Sequence, residues 1–498
     1  MAPWNQFARM RLHPFLFDVL TTGLTQVLVV AANLVMVAVI SRRLGVIILG
    51  EWLLARRISA WLLVGSQLGL GIALPRQIAH TAENVEMRAR QYFFAAFTIG
   101  VAFVGVIAAA AAWSAGLLAP WCLGSQNKEL FYALLLLLFG MAAQATVFGY
   151  FRGLERVQMA NLVSFGGTVV VPLLALAATY KLHSAPMLVG AAGAGLTVTS
   201  FLWAVPKLVT VRRLGRQFVS DARQLLSYGI GRVPGEIAVG GLLTLGPMLV
   251  SHYVKMAEDS YLLLGITWLT MTGLAFAPLG MVLLARISRL LGTGRQRDVN
   301  EYVGYLRTAV WQVSLVLVVQ GLIFTRPLVL WWLGPACLPA IPVIRMVLLA
   351  APAYMYFTAL RAVVDAASPV AYNARNVLVT MAVLVSLLGI VMGNVPPAKM
   401  VMAVAAATTV SMWVLAVATH RSLQTLGLAD LTPSLDSVRL AGMLGITSLI
   451  AQLGFHFQIS KPAFVLVALT NAGLAFLLLR QRKPAWVGFV LRVAFARI

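Results

Sequence analysis

Acidic side chains are scarce in this chain. Against 38 lysines and arginines stand 15 aspartates and glutamates, and charged residues of both signs make up only 11% of the 498 positions. A water-soluble domain carries roughly 25% charged residues, so a soluble fold is excluded. The net charge of +23 does not point to nucleic acid, because 60% of the residues are hydrophobic. Cysteine is nearly absent: Cys122 and Cys337 are the two in the chain, which rules out a disulfide framework and a zinc–cysteine cluster. The six histidines are scattered, and none pairs with a nearby acid inside an apolar run. No Walker loop, dinucleotide fingerprint or zinc spacing occurs, so no cofactor and no metal are expected. Long polar segments are missing as well. The largest breaks between apolar runs are 207–225, 286–304 and 420–437.

What the chain does have is length without polarity. Crossing about 30 Å of hydrocarbon takes roughly 20 apolar residues, and about fourteen runs of that kind are present. They centre on 18–41, 48–73, 93–118, 130–150, 159–180, 185–206, 227–252, 260–285, 305–325, 341–362, 376–394, 398–419, 438–457 and 462–480. The runs are continuously apolar instead of alternating, which predicts helices and not a β-barrel. The first run is longer than a signal-peptide core and lacks a small-residue cleavage site, so it is expected to be retained.

The basic residues then set an orientation. With Arg9 and Arg11 placed inside, the inside segments collect Arg76, Arg88, Arg90, Arg152 and Arg156. Further along they collect the 207–223 cluster, the 286–307 cluster and the tail from Arg480. About 26 of the basic residues fall inside, about 8 outside and about 4 within spans, which is the positive-inside asymmetry. A bacterial inner (cytoplasmic) membrane protein with both termini in the cytoplasm is expected.

The chain also repeats itself at a spacing of about 209 residues. "GSQLGLGIALPRQIA" (65–79) aligns with "AFAPLGMVLLARIS" (275–288) on Arg76 and Arg286. "GYFRGLERVQMANLVSF" (149–165) aligns with "ALRAVVDAASPVAYNARNVLV" (359–379) on Arg152 and Arg361. The expected fold is all-α: a polytopic membrane protein of two pseudo-symmetric six-helix lobes plus two C-terminal helices. The expected divisions are an N-terminal lobe at 1–210 (spans one to six) and a cytoplasmic linker at 211–225. A C-terminal lobe follows at 226–420 (spans seven to twelve), then a helix pair at 438–480 and a basic tail at 481–498. Parallel halves of this kind commonly enclose a transport path and rock against each other.

Two segments carry a family resemblance. "SRRLGVIILGEWLLARRISAWLLVGSQLGLGIALPRQIA" (41–79) resembles the first helical hairpin of Wzx-type polysaccharide flippases, of the multidrug/oligosaccharidyl-lipid/polysaccharide (MOP) exporter superfamily. The likeness rests on Leu44-Gly45 and Gly50 at the outer turn, then Leu68-Gly69 leading to Arg76. "YFRGLERVQMANLV" (150–163) is similar to the family's loop after span four. Glu51-Trp52 at the outer turn departs from the family's less charged pattern. The resemblance implies a flippase, not an enzyme. It would move polyprenyl-diphosphate-linked oligosaccharide repeat units for exopolysaccharide, O-antigen or capsule assembly by alternating access. It also implies membrane lipids and a polysaccharide polymerase and export complex as partners. A lipid II flippase of peptidoglycan assembly is the nearest alternative. A membrane-embedded polysaccharide-modifying enzyme is the alternative of another class, disfavoured by the scattered histidines and short outer loops.

Charges inside spans cost at least about 2.5–3.5 kcal/mol each, so those present mark sites. Arg56 and Arg57 lie in span two, Arg232 and Glu236 in span seven, and Arg345 in span ten. Guanidinium keeps its charge and grips phosphate oxygens two at a time. Arg56 or Arg57, Arg232 and Arg345 are therefore candidates to line a cationic lumen for a diphosphate headgroup. Each has a rival reading. Arg56 and Arg57 diverge by about 100° on a helix, so one can snorkel or pair with Glu51. Arg232 and Glu236 share a face across Pro234 and suit a structural ion pair. Arg345 sits early in its run, within snorkelling reach of the outer interface. Asp18, at the start of span one, is either an ion-coupling residue, as the resemblance implies, or a partner for its own helix dipole. The two cysteines occupy outward loops at matching places in the two halves, and a disulfide between them would lock a moving carrier.

Overall fold

A computed structural model describes residues 14–79, 81, 85–209, 216–274, 287, 290–291, 295–368 and 370–428, with side chains from 21 onward except those of Val85, Arg216, Arg232 and Leu274. Among these residues all regular structure is helical. Nine of the described helices are long and apolar enough to cross a bilayer, or eleven if each of two bent pairs is one span. The expected spans one to seven and nine to twelve each coincide with one of these, and Met256–Leu274 is the described part of span eight. The expected spans thirteen and fourteen, the basic tail and the 275–286 arm of the repeat lie outside the described residues.

Spans two and ten are not the straight helices their apolar runs predict. Span two runs Val46–Ser66, turns by 54°, and resumes as Leu70–Ala79. Leu68 and Gly69 both take left-handed backbone angles there, with φ of 51° and 74°. A Cβ on Gly69 would fall 2.3 Å from the carbonyl oxygen of Gly229, so the break also needs glycine for space. Span ten bends by 49° at Leu349-Ala350, where Pro352 starts the second segment, Ala351–Ala367. Irregular backbone at membrane depth must find partners inside the protein. The Trp413 indole N–H donates to the Leu349 carbonyl at 3.1 Å, and the Thr409 hydroxyl donates to the Met346 carbonyl at 2.9 Å. At the other break, the Gln67 side chain donates to the Ala142 carbonyl of span four at 3.2 Å.

Two compact units divide the chain, Met1–Gly240 and Gly241–Ile498. In the first, span four (Lys128–Gly153) is the hub, packed by spans two, three (Val85–Trp113) and six (Ala185–Leu208). Small residues permit this closeness: a Cβ on Gly193 would lie 2.6 Å from the Leu137 nitrogen, and one on Gly140 2.6 Å from the Gly193 oxygen. In the second unit span ten is the hub, packed by span eight, span nine (Gln296–Leu328) and span twelve (Pro397–Thr425). Partner for partner, the same pattern recurs six spans later. The repeat extends to the turns after spans three and nine, where Trp121-Cys122-Leu123-Gly124 matches Trp331-Trp332-Leu333-Gly334 and both glycines take positive φ.

The described part of the expected linker is an ordered helix, Arg216–Gly229, packed on spans two and three. Arg88 of span three grips Asp221 with two nitrogens, at 2.7 and 3.0 Å, and Asp221 is 1% exposed. The Tyr92 hydroxyl donates to Gln224 at 2.8 Å, and the Arg76 guanidinium lies 4.0 Å from the Tyr228 ring centroid. The following helix, Val233–Val250, begins against span two, where the Trp61 indole donates to the Ile237 carbonyl at 2.9 Å.

Candidate functional site

Arg56 projects from span two toward span one. Its Nη1 donates to Asn33 Oδ1 at 2.9 Å, and the guanidinium stands 5.3 Å from the Trp52 ring centroid. The Asn33 amide is itself oriented, because its Nδ2 donates to the Val29 carbonyl at 2.8 Å. That bond assigns the amide nitrogen to the helix and leaves the oxygen for Arg56. None of the ion pairs among the described residues involves Arg56. A neutral amide holds the arginine in place and leaves its charge available, and a ring face steadies it. The remaining donors of the fork can bind an incoming oxyanion.

Glu51 does not pair with Arg56. Its carboxylate accepts from Asn127 Nδ2 at 3.4 Å, and Asn127 also caps span four by accepting from the Leu130 N–H at 3.0 Å. Glu51 thus clasps the start of span two to the start of span four. Arg57 is half-buried beside Arg56 on the same helix. Asp18 falls within the first helix, Pro14–Val39, and Arg232 ends the short 3₁₀ turn Ile230–Arg232; the side chains of both lie outside the described residues. Glu236 is in the first turn of the helix that follows that turn. The rival ion pair of Arg232 with Glu236 therefore also lies outside the described side chains.

Arg345 sits deeper along its helix than its run predicted. A 3₁₀ turn, Pro335–Ala340, leads directly into Ile341–Leu348, so the bent pair starts well before Arg345 and the bend follows it closely. The side chain is half-buried, its Nε is shielded from solvent, and Arg326 of span nine is within electrostatic reach. Arg56 and Arg57 share the first unit, and Arg345 belongs to the second. Cys122 and Cys337 are both buried, and no disulfide joins them.

Sequence reasoning missed Asn33 and Asp221. Asn33 interrupts the apolar run "VVAANLVMV" of span one, and that interruption was a signal. The sequence held no sign that Asp221 would be buried.

No family model matches this chain, and no curated protein matches it in sequence. Solved structures do. The lipid II flippase MurJ, in an inward closed conformation, superposes with a TM-score of 0.71, covering 93% of this chain and 99% of MurJ at 13% identity. The eukaryotic MATE transporter AtDTX14 gives a TM-score of 0.57, covering 88% of this chain and 100% of its own at 14% identity. The fold is that of MurJ and the MATE transporters. At such identities the likeness is one of fold. It does not single out the Wzx branch. It agrees with a multi-pass membrane protein whose structural relatives are transporters and flippases.

Proposed function

We propose that this chain is a flippase for a polyprenyl-diphosphate-linked saccharide, working by alternating access in the cytoplasmic membrane with both termini in the cytoplasm. The observation that carries the reading is Arg56, held at membrane depth by a neutral, pre-oriented amide. An export path for drug cations calls for carboxylates, whereas a diphosphate crossing hydrocarbon needs fixed positive charge. Arg57, Arg232 and Arg345 are proposed to serve the same headgroup, with Asp18, Glu51 and Glu236 as charge partners in its path. For Glu51 the clasp to Asn127 supports a structural share of that role.

Within this chemistry two substrates compete. The loop "YFRGLERVQMANLV" favours an oligosaccharide repeat unit destined for exopolysaccharide, O-antigen or capsule. The TM-score of 0.71 to MurJ favours lipid II. Depletion of the protein followed by lipid extraction separates them. Accumulation of a polyprenyl-linked repeat unit on the inner leaflet supports the first substrate, and accumulation of the peptidoglycan precursor supports the second. Accumulation of neither removes the flippase reading. Chains with Arg56→Ala and Arg232→Ala together should reproduce the accumulation at normal protein level.

A further inference from the structure

At the basic end of the first unit two arginines flank one carboxylate, and a lysine lies near both arginines. Arg156 Nη2 lies 2.5 Å from Glu86 Oε1, and Arg90 Nη2 lies 3.9 Å from Glu86 Oε2. Lys207 is within electrostatic reach of both arginines. Its ammonium donates to the Trp203 carbonyl at 2.7 Å and stands 5.1 Å from the Phe151 ring centroid and 5.6 Å from that of Trp203. The Tyr150 hydroxyl faces Arg90, within electrostatic reach of its guanidinium. These groups come from the start of span three, the end of span four with its loop, and the end of span six, so packed helices fix their spacing. A left-handed turn at Glu155, φ 56°, sets Arg156 at the head of the next helix, and the Glu155 side chain is exposed.

The cluster is open at its polar side, with Arg156 and Glu86 side chains 53% and 59% exposed. On its other side the surface is apolar and uncovered: Leu202 is 69% and Val205 47% exposed on the last turns of span six. A surface that is cationic at one end and hydrocarbon-facing at the next turn matches a molecule with an anionic head and acyl chains, and not a free anion. We propose that Arg90, Arg156 and Lys207 bind the phosphate of an anionic membrane lipid, with Trp203 at the level of the headgroup and Glu86 competing for the guanidinium groups. The motif "YFRGLERVQ" thereby gains a role in lipid binding, separate from the Arg56 site.

Binding is measured without transport, so this proposal and the flippase reading fail independently. The full chain, purified in neutral detergent, is mixed with phosphatidylglycerol or with phosphatidylcholine, and retained lipid is read by native mass spectrometry. Wild type should retain phosphatidylglycerol in preference to phosphatidylcholine. The triple variant Arg90→Gln, Arg156→Gln, Lys207→Gln should retain about tenfold less. Glu86→Gln should retain more than wild type, a gain that misfolding does not produce. A charge-matched control, Lys128→Gln, Lys255→Gln, Lys399→Gln, should behave as wild type. Wild-type retention by the triple variant, equal loss in the control, or no gain in Glu86→Gln overturns the site. Displacement of phosphatidylglycerol by equimolar inorganic pyrophosphate overturns its assignment to a lipid.

Discussion

An arginine in hydrocarbon must be neutralised, hydrated or hydrogen-bonded, and Arg56 is hydrogen-bonded by a group that carries no charge. That choice matters for the proposed function, since a carboxylate partner would compete with the phosphates of a diphosphate headgroup. If the bond to Asn33 serves to aim the fork, the two residues act as one unit. Under the proposed function, Arg56→Ala should lower flipping by about 10–100-fold, the worth of a charge-assisted contact of roughly 1.5–3 kcal/mol. Asn33→Ala should cost less, and the double variant should be no worse than Arg56→Ala alone. Losses that multiply in the double variant would show that Asn33 acts by another route. Arg56 was legible because a charge stands out in an apolar run. Asn33 was not, because a tally of charges passes over a neutral amide. A second residue-scale consequence concerns Cys122, 7% exposed near the outer end of span three, whose thiol burial pushes up to about 11. An ordinary thiol titrates near 8.5–9, so at pH 8 the reactive thiolate is about a hundredfold rarer here. Raising the pH toward 11 restores it. Maleimide labelling of the folded protein should therefore be about a hundredfold slower than that of the same residue in denaturant, as counted by intact mass.

At the scale of elements, the sequence showed where helices lie better than how they bend. Apolar runs report burial in lipid and say little about a left-handed Leu68-Gly69 step or a carbonyl at Leu349 that an indole from span twelve satisfies. Those features arise from contacts between distant segments. The helix Arg216–Gly229 shows the same limit from the opposite side. Its charge density predicted a tether, and charge alone could not show that its amphipathic face packs on spans two and three. Asp221 is the side chain that decides its stability. Removing one partner of a buried, doubly bonded ion pair costs about 3–5 kcal/mol, and with Arg88 23% exposed the lower end applies. Asp221→Ala should lower the unfolding midpoint in detergent by several degrees. Glu86→Ala, which removes a carboxylate 59% exposed, should change it little. Equal shifts in the two variants would mean that the linker helix is not anchored through Asp221.

For the whole molecule, the count and sign of the breaks carried most of the information. Hydrophobic length and the basic bias are properties of composition, so fourteen runs and two similar halves could be read without any contact. The hub positions of spans four and ten could not, since they depend on which small residues meet, such as Gly140 with Gly193. The repeat now makes the topology testable at defined turns. A reporter active only outside the cytoplasm should be active when inserted at Gly124–Asn127, at His183-Ser184, at Tyr253-Val254 and at Val395-Pro396, where spans three, five, seven and eleven end. It should be silent at Leu154-Glu155 and at Ser368, where spans four and ten end. Because span two bends by 54° and span ten by 49°, each could in principle return to the side it came from. If one did, every turn beyond it would change sides and the basic residues would face outward downstream of that point. Activity at Leu154-Glu155 together with silence at Gly124–Asn127 would reveal such a reversal at span two. The opposite result, silence at every basic turn in both halves, would show that the bent helices still cross and that the excess positive charge lies on one side throughout.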